Sequence, residues 1–137
     1  MKTVSLQDLE VVHYLTKLAK RKYYSYRVGA RKRNLAFDLT FNQFREIITE
    51  SCRYCGFIPV FNKDTKESSV NGIDRVDNAK GYHMTNVAAC CSNCNYMKSN
   101  LTEFDFLKQV SKIYHNLEFY KVFNPDQKAS VREGELE

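Results

Sequence analysis

Leu6, Leu9, Val12, Leu15 and Leu18 recur every three residues, a step that drifts slowly round one face of a helix. With Ser5 and Asp8 as a start signal, the spacing predicts a helix from about Leu6 into the low thirties, with Gly29 as the place for a break. Its apolar first half is expected to dock, and its second half to face a ligand. Phe37-Asp38-Leu39 reads as a short extended piece. Thr40 and Gln43 then form a capping box, and Phe41, Phe44, Ile47 and Ile48 mark the stripe of a second helix. Phe57 to Phe61 is a strand-like run after Gly56, and Asn62 to Asn71 is polar and aperiodic, hence a loop. Ile73 and Val76 fit a strand that turns over Asp77 to Gly81, and Asn86-Val87-Ala88-Ala89 returns. Asn95 to Lys98 extends as a helical turn. Thr102 with Asp105 caps a last helix, whose Phe106, Leu107, Val110, Ile113, Tyr114 and Leu117 would cover the core. Tyr96, Met97 and Phe104 are also read as core. From Asn124 the chain is acidic and aperiodic and reads as a frayed, disordered tail.

Cys52-Arg-Tyr-Cys55 and Cys91-Ser-Asn-Cys94 interrupt this pattern with two C-x-x-C knuckles. Tetrahedral Zn²⁺ takes two sulfurs from each tight turn, so Cys52, Cys55, Cys91 and Cys94 read as a closed, structural zinc site. The fifth cysteine, Cys90, is either a buried free thiol or, by a slipped pairing, a partner of Cys94. With 137 residues, a metal staple matters to one modest domain. Hydrophobic content of 43%, with nine Tyr and nine Phe, is that of a globular chain. No apolar run reaches the length of a membrane span and the N-terminus lacks a signal peptide's apolar core, so a reducing cytoplasm is expected. Thiolate ligands rather than disulfides fit that setting.

The net charge of +5 is concentrated. Between Val11 and Phe37 there is no acid, while Lys17, Lys20, Arg21, Lys22, Arg27, Arg31, Lys32 and Arg33 are basic. Such a segment either attracts a polyanion by releasing its counterions or is a solvated helix face. Tyr23, Tyr24 and Tyr26 among these cations either pack or stack on a base or sugar.

In order and spacing, Cys52-Arg-Tyr-Cys55-Gly56, Ile73-Asp74-Arg75-Val76-Asp77, Lys80-Gly81-Tyr82, Asn86-Val87 and Cys91-Ser-Asn-Cys94-Asn95 with Lys98 resemble the HNH nucleases. These belong to the ββα-metal (His-Me finger) superfamily, here in the zinc-stapled form of small phage-type endonucleases. Ala30 to Thr40 is similar to their lead-in. The likeness runs from the late twenties to about residue 110.

The resemblance implies an α+β fold: a small ββα-metal finger clipped by a four-cysteine zinc site and flanked by N-terminal and C-terminal helices. Residues 1–50 would be a basic helical region of the same domain, 51–123 the zinc-stapled part with the last helix, and 124–137 the tail. It places Asp74 and Asn95 on a catalytic Mg²⁺ or Mn²⁺, an ion that favours oxygen ligands. Asn86 matches the middle N, which orients the base or its loop. The implied activity is metal-dependent hydrolysis of DNA, leaving a 5′-phosphate and a 3′-hydroxyl. Lys98 joins the basic segment as a nucleic-acid contact, with double-stranded DNA the expected partner, no membrane, and either a monomer or a homodimer.

Position 75 departs from the pattern. The general-base histidine of the family is replaced by Arg75, which cannot give up a proton near neutral pH. His83 could take that role or contact phosphate from a surface loop, and Asp77 is a second candidate base. Arg75 could instead clamp the scissile phosphate while the metal activates water. The rival function is a zinc-stabilised nucleic-acid-binding protein that has lost cleavage through this change.

Overall fold

The computed structural model describes residues 6–60 and 69–123. Helix α1, Leu6–Lys32, passes through Gly29 without a break. A Cβ at Gly29 would lie 3.4 Å from the Arg33 guanidinium, an ordinary contact, so space does not demand glycine here. The helix ends at Asn34, whose φ of 54° is left-handed, while the N–H groups of Arg33 and Leu35 return to the carbonyls of Gly29 and Ala30. The start signal at Ser5 lies outside the described residues.

The half of α1 that docks is the opposite of the one expected. Leu9 and Val12 are 53% and 57% exposed, whereas Ala19 and Ala30 are buried and Tyr23 and Tyr26 pack on the core. The physical reason is aromatic. Tyr23 meets Phe37, Phe41 and Phe44 edge-on at 5.5, 5.6 and 5.4 Å, and Tyr26 meets Phe44 at 5.3 Å. Interlocking rings bury more area, in a better-defined geometry, than a leucine stripe drifting round a helix.

Helix α2, Phe41–Thr49, has the predicted capping box: Thr40 accepts from the Gln43 N–H, and the Gln43 side chain accepts from the Thr40 N–H. Its Phe44, Ile47 and Ile48 are buried. The strand expected from Phe57 does not form over the described residues 57–60. Phe57, Ile58 and Val60 are exposed, and the Phe57 carbonyl instead accepts the Cys52 N–H at 2.8 Å. Phe61 of that run and residues 62–68 of the expected loop lie outside the described residues.

Strands β1, Gly72–Arg75, and β2, Val87–Cys90, pair antiparallel with Asp74 opposite Ala88. Because side chains alternate across a strand, Ile73 joins the core and Asp74 faces the other way. The backbone of Ala36 to Asp38 bridges to Tyr82, with Tyr82 N–H on the Ala36 carbonyl at 2.8 Å. A Cβ at Gly81 would strike that carbonyl oxygen, which explains the glycine. A one-turn 3-10 helix, Met84–Asn86, leads into β2. Helix α3, Ser92–Lys98, starts on the second knuckle, with Tyr96 and Met97 exposed at 88% and 58% rather than in the core.

The chain forms two compact units, Met1–Thr102 and Glu103–Glu137. Residues of the first unit fill the core clusters. In the second lies α4, Glu103–Phe123. Phe106 is buried, but Phe104, Leu107, Val110, Ile113, Tyr114 and Leu117 are exposed, against the expectation that this stripe is covered. The tail from Asn124 lies outside the described residues. No described helix is long and apolar enough to cross a membrane.

Candidate functional site

The sulfurs of Cys52, Cys55, Cys91 and Cys94 all lie within 4.8 Å of one another. Four thiolates about 2.3 Å from one zinc ion need a gathering of this size, so the residues fit the metal. Each knuckle has its own local cause. Gly56, at φ 76°, closes the first by returning its N–H to the Cys52 carbonyl at 2.9 Å, and the second is the start of α3, with Cys91 as its cap. The Arg53 N–H on the Ala89 carbonyl ties the first knuckle to the hairpin. Burial works to raise the Cys52 thiol, but the backbone N–H groups of Cys55, Cys91 and Tyr54 outweigh it and hold the value at about 6. Cys90 stands apart: it is fully buried, and burial pushes its thiol well up.

Both knuckles also reach Asp74. This carboxylate is 3% exposed. Tyr54, inside the first knuckle, donates its hydroxyl to Oδ2 at 2.7 Å. Lys98, on the last turn of α3, donates Nζ to Oδ1 at 3.1 Å and to the Arg75 carbonyl at 3.1 Å. The side chain of Lys98 is fully buried, which corrects its assignment as a nucleic-acid contact. A buried ammonium has to be paired, and Asp74 is its partner.

Asp74, Arg75 and Asn95 line one open cleft, together with Tyr26, Arg33 and Tyr82. The Arg75 guanidinium donates to the carbonyls of Asn78 and Lys80 at 2.7 and 2.8 Å and lies over the Tyr82 ring. Arg33 donates to the Tyr82 hydroxyl at 2.9 Å, so one tyrosine supports two guanidiniums. Tyr26 accepts the Ile73 N–H at 2.9 Å, and burial raises its hydroxyl above the ordinary tyrosine value. Asp74 and Asn95 both line the cleft, and a carboxylate with an amide oxygen is a donor set suited to a hard divalent ion. Each carboxylate oxygen keeps lone-pair capacity beyond its one protein donor.

His83 and Asn86 do not line this cleft. The buried Asn86 pins the turn: its Oδ1 accepts the Asp77 N–H at 2.9 Å and its amide donates to the carbonyls of Asp77 and Gly81 at 3.0 and 2.9 Å. His83 Nδ1 pairs with Asp38 Oδ2 at 2.6 Å on the surface. The Ala79 N–H and then Lys80 hold the Asp77 carboxyl below the usual carboxylate range, which weakens it as a base. Tyr54 and Tyr82 were read from the sequence only as motif positions, and Tyr26 only as a residue that packs or stacks. The hydroxyl of Tyr54 had a local signal in its place inside a C-x-x-C, but its target did not.

On α1, Lys17, Lys20, Arg21, Arg27 and Arg31 are exposed on a broad arc of the helix away from Ala19, Tyr26 and Ala30, with Arg27 at its edge over the Tyr23 ring. Tyr24, 70% exposed, shares their face, and Lys32 and Arg33 follow at the end. Lys22 is half-buried, and burial lowers its pKa.

The arrangement is similar to a solved one. The rare-cutting HNH restriction endonuclease PacI superposes with a TM-score of 0.53, at 23% identity, over 73% of this chain and 81% of that chain. This is the HNH fold. The ββα unit expected from the cysteine and Asp74 motifs is therefore present, with two antiparallel strands and α3 as its elements and the four cysteines gathered beside it. No family model matches the chain. Uncharacterized protein R423 of Acanthamoeba polyphaga mimivirus is 31% identical over 129 residues, 89% of this chain. The chain spans 23% of that relative's length. The HNH fold thus fixes the frame in which the cleft residues are read.

Proposed function

We propose that this chain is a metal-dependent DNA endonuclease of the HNH type. The observation that carries this is the cleft: a buried carboxylate, an amide and two guanidiniums, all on the HNH fold. Asp74 and Asn95 would hold Mg²⁺ or Mn²⁺. The chemistry such an ion supplies is charge neutralisation at the phosphate. Arg75 and Arg33 clamp the non-bridging phosphate oxygens, with Tyr82 keeping both in place. Asn86 fixes the turn whose carbonyls hold Arg75. His83, paired with Asp38, serves as a loop anchor rather than as the base. The exposed cations of α1, Lys17, Lys20, Arg21, Arg27, Arg31 and Lys32, hold the duplex. The products are a 5′-phosphate and a 3′-hydroxyl.

One observation favours the rival reading of a non-cleaving DNA-binding protein: Lys98 already neutralises Asp74. A plasmid-nicking assay with Mg²⁺ or Mn²⁺, run beside Asp74→Asn, separates the two. The nuclease reading expects nicking that falls about a hundredfold or more in the variant, the scale of losing one charge-stabilising group. Tight binding of the plasmid with no nicking by either protein overturns it.

A further inference from the structure

Among the described residues that line the cleft, Asp74 is the one acid, whereas Arg33 and Arg75 face the same space. Behind the carboxylate, the Lys98 ammonium lies 3.1 Å from Oδ1, and the Tyr54 hydroxyl is bonded to Oδ2. The pair is buried on both sides, at 0% and 3%, so salt screens it weakly. A divalent cation entering this cleft alone meets two guanidiniums and one carboxylate whose charge Lys98 already shares.

We propose that the cleft captures its divalent cation only together with a phosphate of the nucleic acid, and that Lys98 sets this dependence. The proposal rests on the nuclease reading for the identity of the cation site. A phosphodiester brings the missing negative charge. Arg33 and Arg75 neutralise part of it, and its oxygens complete the ligand set that Asp74 and Asn95 begin. Each ligand then strengthens the other by the same factor, because coupling between sites is reciprocal. Lys98 and Tyr54 are positioning residues, not catalytic ones. Tyr54 comes from within the first knuckle and Lys98 from the helix that the second knuckle starts, so the zinc staple aims the carboxylate from both sides.

The test titrates Mn²⁺ into the zinc-loaded chain by electron paramagnetic resonance, with and without a short DNA duplex. Asp74→Asn is run in parallel to subtract ions held by the duplex or elsewhere on the chain. The Asp74-dependent binding is expected to tighten about tenfold or more with the duplex, within the usual range of coupled sites. Lys98→Met should bind Mn²⁺ without the duplex and lose most of that gain. Tyr54→Phe, which removes a hydrogen bond but no charge, should keep it. Equal Mn²⁺ affinity of the free and duplex-bound wild type overturns the proposal, as does a Lys98→Met variant that behaves like wild type. If Lys98→Met loses its zinc or its circular dichroism, the wild type still decides: Mn²⁺ must tighten duplex binding by the same factor, and not in Asp74→Asn. Mutual tightening without plasmid nicking at any Mn²⁺ concentration supports the coupling and overturns the nuclease reading alone.

Discussion

A carboxylate that is 3% exposed must have partners for its charge, and Asp74 has one on each oxygen. Removing one member of such a pair leaves the other buried and uncompensated. Lys98→Ala should therefore cost about 3–5 kcal/mol, measured by denaturant unfolding with zinc present. His83 stands at the other extreme. Its pair with Asp38 is exposed, so His83→Ala should change stability by about 1 kcal/mol or less and leave plasmid nicking at the wild-type rate. A large loss of nicking would return His83 to the chemistry. Asp74 and Asn95 were singled out from their motif, and both line one cleft. Tyr54 was not legible, because its target lies 20 residues along the chain and no period links them. Lys98 was legible as a motif position but not as a buried one. A lysine's charge argues for exposure, and only the fold could supply its partner.

Among the elements, α2 and its cap were readable because capping and stripe are local signals that agree. Thr40→Ala should cost about 1 kcal/mol, seen as a lower midpoint of thermal unfolding. The hairpin was readable as well, but the reason for its glycine was not: Gly81 touches the Ala36 backbone, far away in sequence. Gly81→Ala should destabilise the fold by about 1–3 kcal/mol, as a clash with backbone that cannot move aside. Helix α1 was read correctly in extent and wrongly in orientation. Counting leucines favours its first half, whereas the aromatic cluster of Phe37, Phe41 and Phe44 draws in Tyr23 and Tyr26. That cluster assembles from separate segments, which a periodicity count along one helix does not see.

For the molecule as a whole, the metal and the charge make separate predictions. The Cys52 thiol is depressed from the usual 9.0 to about 6, so its contribution to the folded chain is present in alkali and lost as pH falls through about 6. Protons compete with zinc for the same sulfurs. Zinc release to a chromogenic chelator should thus accelerate as the pH falls. The basic face of α1 predicts DNA affinity that falls steeply with salt, with a log–log slope of about −0.9 for each phosphate neutralised. Replacing Lys17, Arg21 and Arg31 with Gln should flatten that slope without moving the thermal midpoint, because these side chains are exposed. The four cysteines told of a staple from their spacing alone. They did not tell that the staple's two halves would converge on Asp74.

Of the four clustered thiols, Cys55 is the one exposed to solvent, and its sulfur lies 3.6 Å from that of Cys91. Peroxide will reach the knot at that corner first. Oxidising those two sulfurs to a disulfide hands two electrons to the oxidant and removes half of the zinc's ligands. Air would then disarm the buried carboxylate without touching it, and a reductant in the buffer would keep it aimed.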